Sequence, residues 1–147
     1  MQPVHPPGSA GLPLEPTTTI MGRHRWPYAF NWRMIADTGA TICFATDWPI
    51  SPIDPLYAIN CALTRQPWED DLPDPRLSLE ECLLAYTKNG AYAAFDENRL
   101  GRAEAGMLAD LVVIRGDLDT LHQDGPLQVE SVLTICDGKI TYQLSQI

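Results

Sequence analysis

The carboxylate with the most suggestive setting in this 147-residue chain is Asp47. It ends the run Gly39-Ala40-Thr41-Ile42-Cys43-Phe44-Ala45-Thr46-Asp47, in which small and apolar residues rich in β-formers follow a glycine. Such a run reads as a short, fully buried strand, because a parallel strand covered on both faces shows no polar alternation. An acid at the carboxyl end of such a strand sits where α/β barrels keep their chemistry. The same carboxylate would equally serve as a cap for the turn that follows, and the pattern alone leaves both roles open. His5 stands at a strand-to-loop junction and reads either as a ligand or substrate contact, or as an ordinary solvent-facing histidine. Asp110 interrupts an apolar strand, and its preferred reading is structural, a carboxylate holding a turn or a backbone amide.

The surrounding elements must position these groups. Trp48, Pro49, Pro52 and Pro55 force a loop directly after Asp47. Upstream, Tyr28, Phe30, Asn31, Trp32, Arg33, Met34, Ile35 and Ala36 place apolar side chains at helical spacing, with Gly39 as the stop. Downstream, Asp54-Pro55 reads as an N-cap with proline at the first helical position, opening a helix through Leu56, Ile59 and Leu63. Ser78-Leu79-Glu80-Glu81 is a capping box for a helix that runs to Asn89-Gly90. A further short helix covers 91–95. Helix and strand thus alternate as in a βα architecture.

The last third differs in character. Residues 108–114 and 129–136 read as strands, and Asp137-Gly138 is a strong two-residue hairpin signal before a third strand over 139–142. Pro6 to Thr19, with Gly8, Gly11, Pro13 and Pro16, reads as an extended loop after a strand tail at 1–5.

Bulk properties exclude several classes. A formal charge of −9 argues against a nucleic-acid surface. Arg23-His24-Arg25 is the only tight basic cluster and is too small for a phosphate-backbone footprint. Cys43, Cys61, Cys82 and Cys136 form no C-x-x-C pair and read as thiols of a reducing, cytoplasmic compartment. No apolar run approaches the ~20 residues needed to span a bilayer, and there is no leader pattern. The length suits one core and falls short of a complete α/β barrel of about 250 residues.

Three motifs in order resemble those of the metal-dependent amidohydrolases, specifically the YtcJ-like branch. Gln2-Pro3-Val4-His5 is similar to the "QPxH" that ends the seventh barrel strand. Gly22-Arg23-His24-Arg25, with Tyr28 and Trp32-Arg33, resembles the entry to the next helix. Thr46-Asp47-Trp48-Pro49 is similar to "SDWP" at the end of the eighth strand, with threonine for the usual serine. Behind them, "GRAEAGMLADLVVI", carrying Gly101, Gly106, Ala109 and Asp110, resembles the hallmark where the chain leaves the barrel for a β-sandwich.

The resemblance implies a fold and a chemistry. The fold would be α/β: the last two βα units of a TIM-type (β/α)8 barrel over 1–100, followed by antiparallel strands of the amidohydrolase β-sandwich over 101–147. The activity would be hydrolysis of a C–N bond in an amide, formamide or cyclic amide, using one or two divalent metals, usually zinc. Asp47 would be the final metal ligand and would pass a proton from the attacking water to the departing nitrogen. His5 and Arg25 would contact the substrate or the developing oxyanion, and Trp48 would wall the pocket. The HxH pair and the other histidine ligands that the resemblance calls for have no counterpart, since the histidines here are His5, His24 and His122.

The chain is therefore expected to be the C-terminal portion of such an enzyme, inactive and metal-free alone. It should pair with a missing N-terminal barrel portion or self-associate, with a small amide-type molecule as substrate and neither nucleic acid nor membrane as partner. The competing reading is a non-catalytic, stand-alone α+β module for oligomerisation or binding. A metal site built from His5, His24 and Asp47 is disfavoured, because their spacing fixes no common geometry.

Overall fold

The computed structural model describes residues 21–122 and 127–145. The strand tail at 1–5, the following loop and His5 lie outside them.

The chain enters through a 3-10 helix, Arg23–Tyr28, with Pro27 inside it. Helix α1, Trp32–Ala36, begins only after Phe30 takes a φ of 53° and Asn31 caps the new helix by accepting from the Met34 N–H. The single helix expected from Tyr28 is thus broken in two. A proline without an N–H and a competing asparagine cap account for the break. Gly39, at φ 79°, ends the turn by donating to the Ala36 carbonyl.

The next helices follow the sequence signals closely. Helix α2, Pro55–Thr64, is capped by Asp54, which accepts from the Leu56 N–H at 2.9 Å. Helix α3, Leu79–Tyr86, opens on the full capping box. Ser78 Oγ accepts from the Glu81 N–H, and Glu81 accepts from the Ser78 N–H at 2.7 Å. Helix α4 spans Lys88–Ala93 and runs through Gly90, so Asn89-Gly90 is not a stop. The break falls instead at Thr87, at φ −118° and ψ −96°.

Strands β1 (Leu111–Arg115), β2 (Glu130–Cys136) and β3 (Lys139–Gln143) form one antiparallel sheet in the order β1-β2-β3. Leu111 pairs with Ile135 and Val113 with Leu133, with a register shift after Val113. The β2–β3 hairpin turns on Asp137 and Gly138, both at positive φ (49° and 73°), the geometry that asparagine or aspartate followed by glycine favours. A second 3-10 helix, Leu118–His122, bridges β1 and β2.

One core joins the helical and sheet portions. Trp32, Phe44, Ile59, Ala62, Cys82 and Ala85 pack in it together with Leu121 and Val129 from the C-terminal third. Asn60 ties the two portions further by donating to the Leu121 carbonyl at 2.6 Å.

Residues 41–46 depart from expectation. They are extended but pair with no strand among the described residues. Ile42 and Phe44 are buried, whereas Thr41 and Ala45 are exposed and Cys43 and Thr46 half-buried. Among the described residues this segment is covered on one side only, not on both. Phe44 meets Trp32 and Tyr86 edge-on at centroid separations of 5.9 and 5.5 Å, so the helices cover the even-numbered face. Two hydrogen bonds to the helical layer hold the segment in place. The Phe44 N–H donates to the Ala85 carbonyl at 3.1 Å, and Asn89 Nδ2 donates to the Ile42 carbonyl at 2.9 Å.

Candidate functional site

Asp47 follows the extended segment at the point where the chain turns. Its φ is 52°, its side chain is exposed, and its carbonyl accepts from the Ile50 N–H at 2.8 Å. Aspartate tolerates this left-handed conformation better than most residues. By position it continues the odd-numbered series Thr41, Cys43, Ala45 that faces away from the helices. Trp48 follows at 66% exposure, joined to Pro49 by a cis peptide, and Ile50 and Ile53 are each 68% exposed. Asp47 therefore stands beside exposed apolar side chains, those of Trp48, Ile50 and Ile53.

Arg25 lies on the first 3-10 helix and is exposed. That helix carries no buried residue and no side-chain cap. It is fastened from outside. Arg23 pairs with both Glu69 and Asp71 of the loop after α2, its Nε reaching Glu69 at 3.0 Å. These partners raise the Arg23 guanidinium above its ordinary range, the Glu69 hydrogen bond contributing most. Trp26 meets Trp68 edge-to-face at 5.6 Å.

Behind this surface sits a residue that sequence reasoning passed over. Arg65 caps the end of α2, is 4% exposed, and holds its guanidinium over the rings of Phe30 (4.7 Å) and Trp32 (5.4 Å). Burial pulls its pKa down to about 10. Nothing in the local sequence marks it, because an arginine at a helix end usually faces water. The two flanking aromatics become its platform only through the turn at Phe30.

A second charged pair is structural. Arg33, on α1, donates to both carboxylate oxygens of Glu81 at 2.9 and 2.7 Å, and its Nε donates to Asp37 at 2.8 Å. The Arg33 hydrogen bond is the leading cause that holds the Glu81 carboxyl down to about 2. Asp110 also proves structural, as expected. Its Oδ1 accepts from the Asp137 N–H at 2.7 Å, while the Gly138 N–H donates to the Ala109 carbonyl at 3.1 Å.

Two cavities lie away from Asp47. A cavity of about 200 Å³ opens beside Gly39, Ile42, Leu77 and Leu84, near the start of the extended segment, whereas Asp47 follows its end. A much smaller one sits between Trp26, Asn31, Arg65 and Trp68. Among the described residues no group of three or more His, Cys, Asp and Glu could hold a metal ion. A catalytic zinc takes three protein ligands and a water, so the described donors do not by themselves fit a divalent metal. None of the four cysteines is in a disulfide, and Cys61 and Cys82 are buried. Burial pushes the Cys82 thiol up to about 12. No helix among the described residues is long and apolar enough to cross a membrane.

Comparison with known proteins gives matches over nearly the whole length. The model of the Amidohydrolase family matches residues 2–142. The putative amidohydrolase YtcJ of Bacillus subtilis is 28% identical over 131 residues, covering 85% of this chain and 25% of that protein. The N-substituted formamide deformylase of Arthrobacter pascens is 28% identical over 119 residues, covering 78% of this chain and 21% of its own length. Among solved structures, an uncharacterized metal-dependent hydrolase from Pyrococcus furiosus superposes with a TM-score of 0.52 at 32% identity, over 59% of this chain and 18% of that one. The chain spans only 15% to 25% of the length of the curated relatives it matches.

Proposed function

This chain belongs to the amidohydrolase family, and on that premise we propose that it is the C-terminal part of a hydrolase acting on a C–N bond of an amide, formamide or cyclic amide. Asp47 is its catalytic carboxylate. It accepts a proton from the attacking water and delivers it to the departing nitrogen. In the complete polypeptide it is also a ligand of a divalent metal, zinc or another, whose remaining ligands lie outside the described residues. Arg25, Trp48 and His5 contact the substrate. The chain alone is inactive, and it works with a missing N-terminal barrel portion or, without one, self-associates. Residues 1–100 form the barrel part and 101–147 the sandwich part of a cytoplasmic enzyme.

One observation carries this reading: the alternating burial of residues 41–46, with Ile42 and Phe44 against the helices and the odd-numbered face open up to Asp47. A barrel strand has helices on its outer face, and its inner face meets the side chains of other strands. The open face here holds Thr41, Cys43 and Ala45, small enough to admit such neighbours. The segment pairs with no strand among the described residues, and an open strand edge is a template for strand addition. Chemistry at the carbonyl-side end of that strand falls on Asp47.

The competing reading, a stand-alone binding or oligomerisation module, draws on the single core that runs from Trp32 to Val129. The coding sequence upstream separates the two. An in-frame extension encoding an HxH pair supports the hydrolase, and a stop codon immediately upstream supports the module. Elemental analysis of the purified chain gives a protein-level check, with less than stoichiometric metal expected and one tightly bound equivalent contradicting the account.

A further inference from the structure

We propose that the loop 66–75 is a charge-latched strap that positions the Arg25-bearing 3-10 helix, with Arg23 and Trp68 as its positioning residues. The inference deepens the substrate-binding role given to Arg25 above and rests on it for its functional meaning, although its test does not.

The geometry argues as follows. The 3-10 helix Arg23–Tyr28 has no buried residue, no side-chain cap, and a proline in its middle, so the core does not hold it. A 3-10 turn of this length has little stability of its own. What meets it is the loop after α2. Arg23 spans from the helix to two carboxylates on that loop, Glu69 and Asp71, with Nη2 at 3.1 Å from the latter. Trp68 lies edge-on to Trp26. The loop is shaped for this task. Pro67, Pro73 and Pro75 limit its backbone, the Leu72 N–H closes a turn on the Glu69 carbonyl at 3.0 Å, and Pro75 accepts from the Arg33 N–H at 3.3 Å. The strap is thus anchored at α1 and at α2, and its middle grips the helix that bears Arg25.

The grip is of a kind that conditions can loosen. Arg23, Glu69 and Asp71 are all substantially exposed, with side chains 58%, 39% and 66% accessible. Exposed ion pairs are screened by salt, and the Debye length falls to about 3 Å at 1 M. The aromatic contact does not depend on charge. High salt should therefore loosen the latch without dissolving the core, and the Arg25 backbone should become the first point of access.

The test uses the chain itself. Limited trypsin digestion, with fragments identified by mass, reads cleavage after Arg25, and near-UV circular dichroism reads the coupled Trp26–Trp68 pair. The double variant Glu69→Gln/Asp71→Asn is expected to be cut after Arg25 roughly three- to tenfold faster than wild type, as loss of two exposed ion pairs implies. Its coupled tryptophan band should weaken while the melting temperature stays close to wild type. Wild-type chain in 1 M NaCl should show the same weakening of the band, which keeps the proposal testable if the variant folds poorly. Arg23→Lys should retain more of the band than Arg23→Gln. An unchanged cleavage rate and an unchanged band in the double variant and in high salt would overturn the strap. Neither readout involves catalysis, so an inactive Arg25 variant in the complete enzyme would bear on the substrate role alone.

Discussion

Arg33 grips Glu81 with two hydrogen bonds of 2.9 and 2.7 Å across 48 residues of sequence, and the same carboxylate closes the capping box on the Ser78 N–H. One acid thus starts α3 and fastens it to α1. Those helices carry Trp32 and Ala85, which cover the buried side of the segment leading to Asp47. Arg33→Ala should destabilise the fold by about 1 kcal/mol, a modest figure because both side chains are about a third exposed and partly screened. Glu81→Ala, which removes cap and ion pair together, should cost about 1–2 kcal/mol. Urea unfolding of both variants measures the difference.

The same pair sets a pH dependence. The Glu81 carboxyl is held down to about 2 in the folded chain, below its ordinary 4.5. Its contribution to stability is therefore fully present above the unfolded value and fades as pH falls from about 5 toward 2. Denaturation midpoints measured across that window should decline more steeply for wild type than for Glu81→Gln. Parallel slopes would contradict the assignment.

Two glycines of the hallmark segment should respond differently to alanine. At Gly101, φ is 86° and an added Cβ would lie 2.8 Å from Ala91 Cβ and 2.9 Å from Lys88 Cα. At Gly106, φ is 95° but nothing lies within 4 Å. Gly106→Ala should cost about 1–2 kcal/mol from backbone strain alone. Gly101→Ala adds a collision with α4 and should cost clearly more. Equal losses in thermal melts would count against this packing.

Asp110→Ala leaves the Asp137 N–H at the β2–β3 turn without its carboxylate partner. A loss of about 1–2 kcal/mol follows, charge-assisted bonds being the stronger kind. Hydrogen exchange at Asp137 should accelerate before the rest of the sheet does.

Much of the fold was legible in the sequence where a local device specifies it. The Ser78–Glu81 box, the Asp54-Pro55 cap and the Asp137-Gly138 turn each act within four residues, and each appears as read. Asp110 was also legible, since a lone acid beside an apolar run needs a donor nearby, although it falls just before β1 and not within it. The misreadings arose where distant parts decide. The helix expected from Tyr28 is an exception: Pro27 and the Asn31 cap, both local, split it, and Phe30 turns between them under Arg65 from the end of α2. Asn89-Gly90 looked like a stop, yet Asn89 is recruited to the Ile42 carbonyl and the helix continues. The buried-strand reading of 41–46 was half correct: its apolar run fits burial on two faces, but within the described residues only one is covered. Arg65 left no trace in local pattern, because its burial depends on two aromatics brought to it by the fold.

The exposure pattern around Asp47 also implies a reactivity order. Cys43, half-buried on the open side of the segment, and the exposed Cys136 should react with a maleimide within minutes, while Cys61 and Cys82 stay protected by burial. In a complete barrel Cys43 should become protected and Cys136 need not. Mass spectrometry of labelled peptides reads the order directly.

The most direct test joins this chain in frame to an upstream amidohydrolase barrel carrying an HxH pair and compares wild type with Asp47→Asn for divalent-metal content and hydrolysis of a formamide or cyclic amide. The account predicts bound metal and turnover in the wild-type assembly, with turnover falling at least about a hundredfold in the variant. Equal turnover in the two proteins would contradict it.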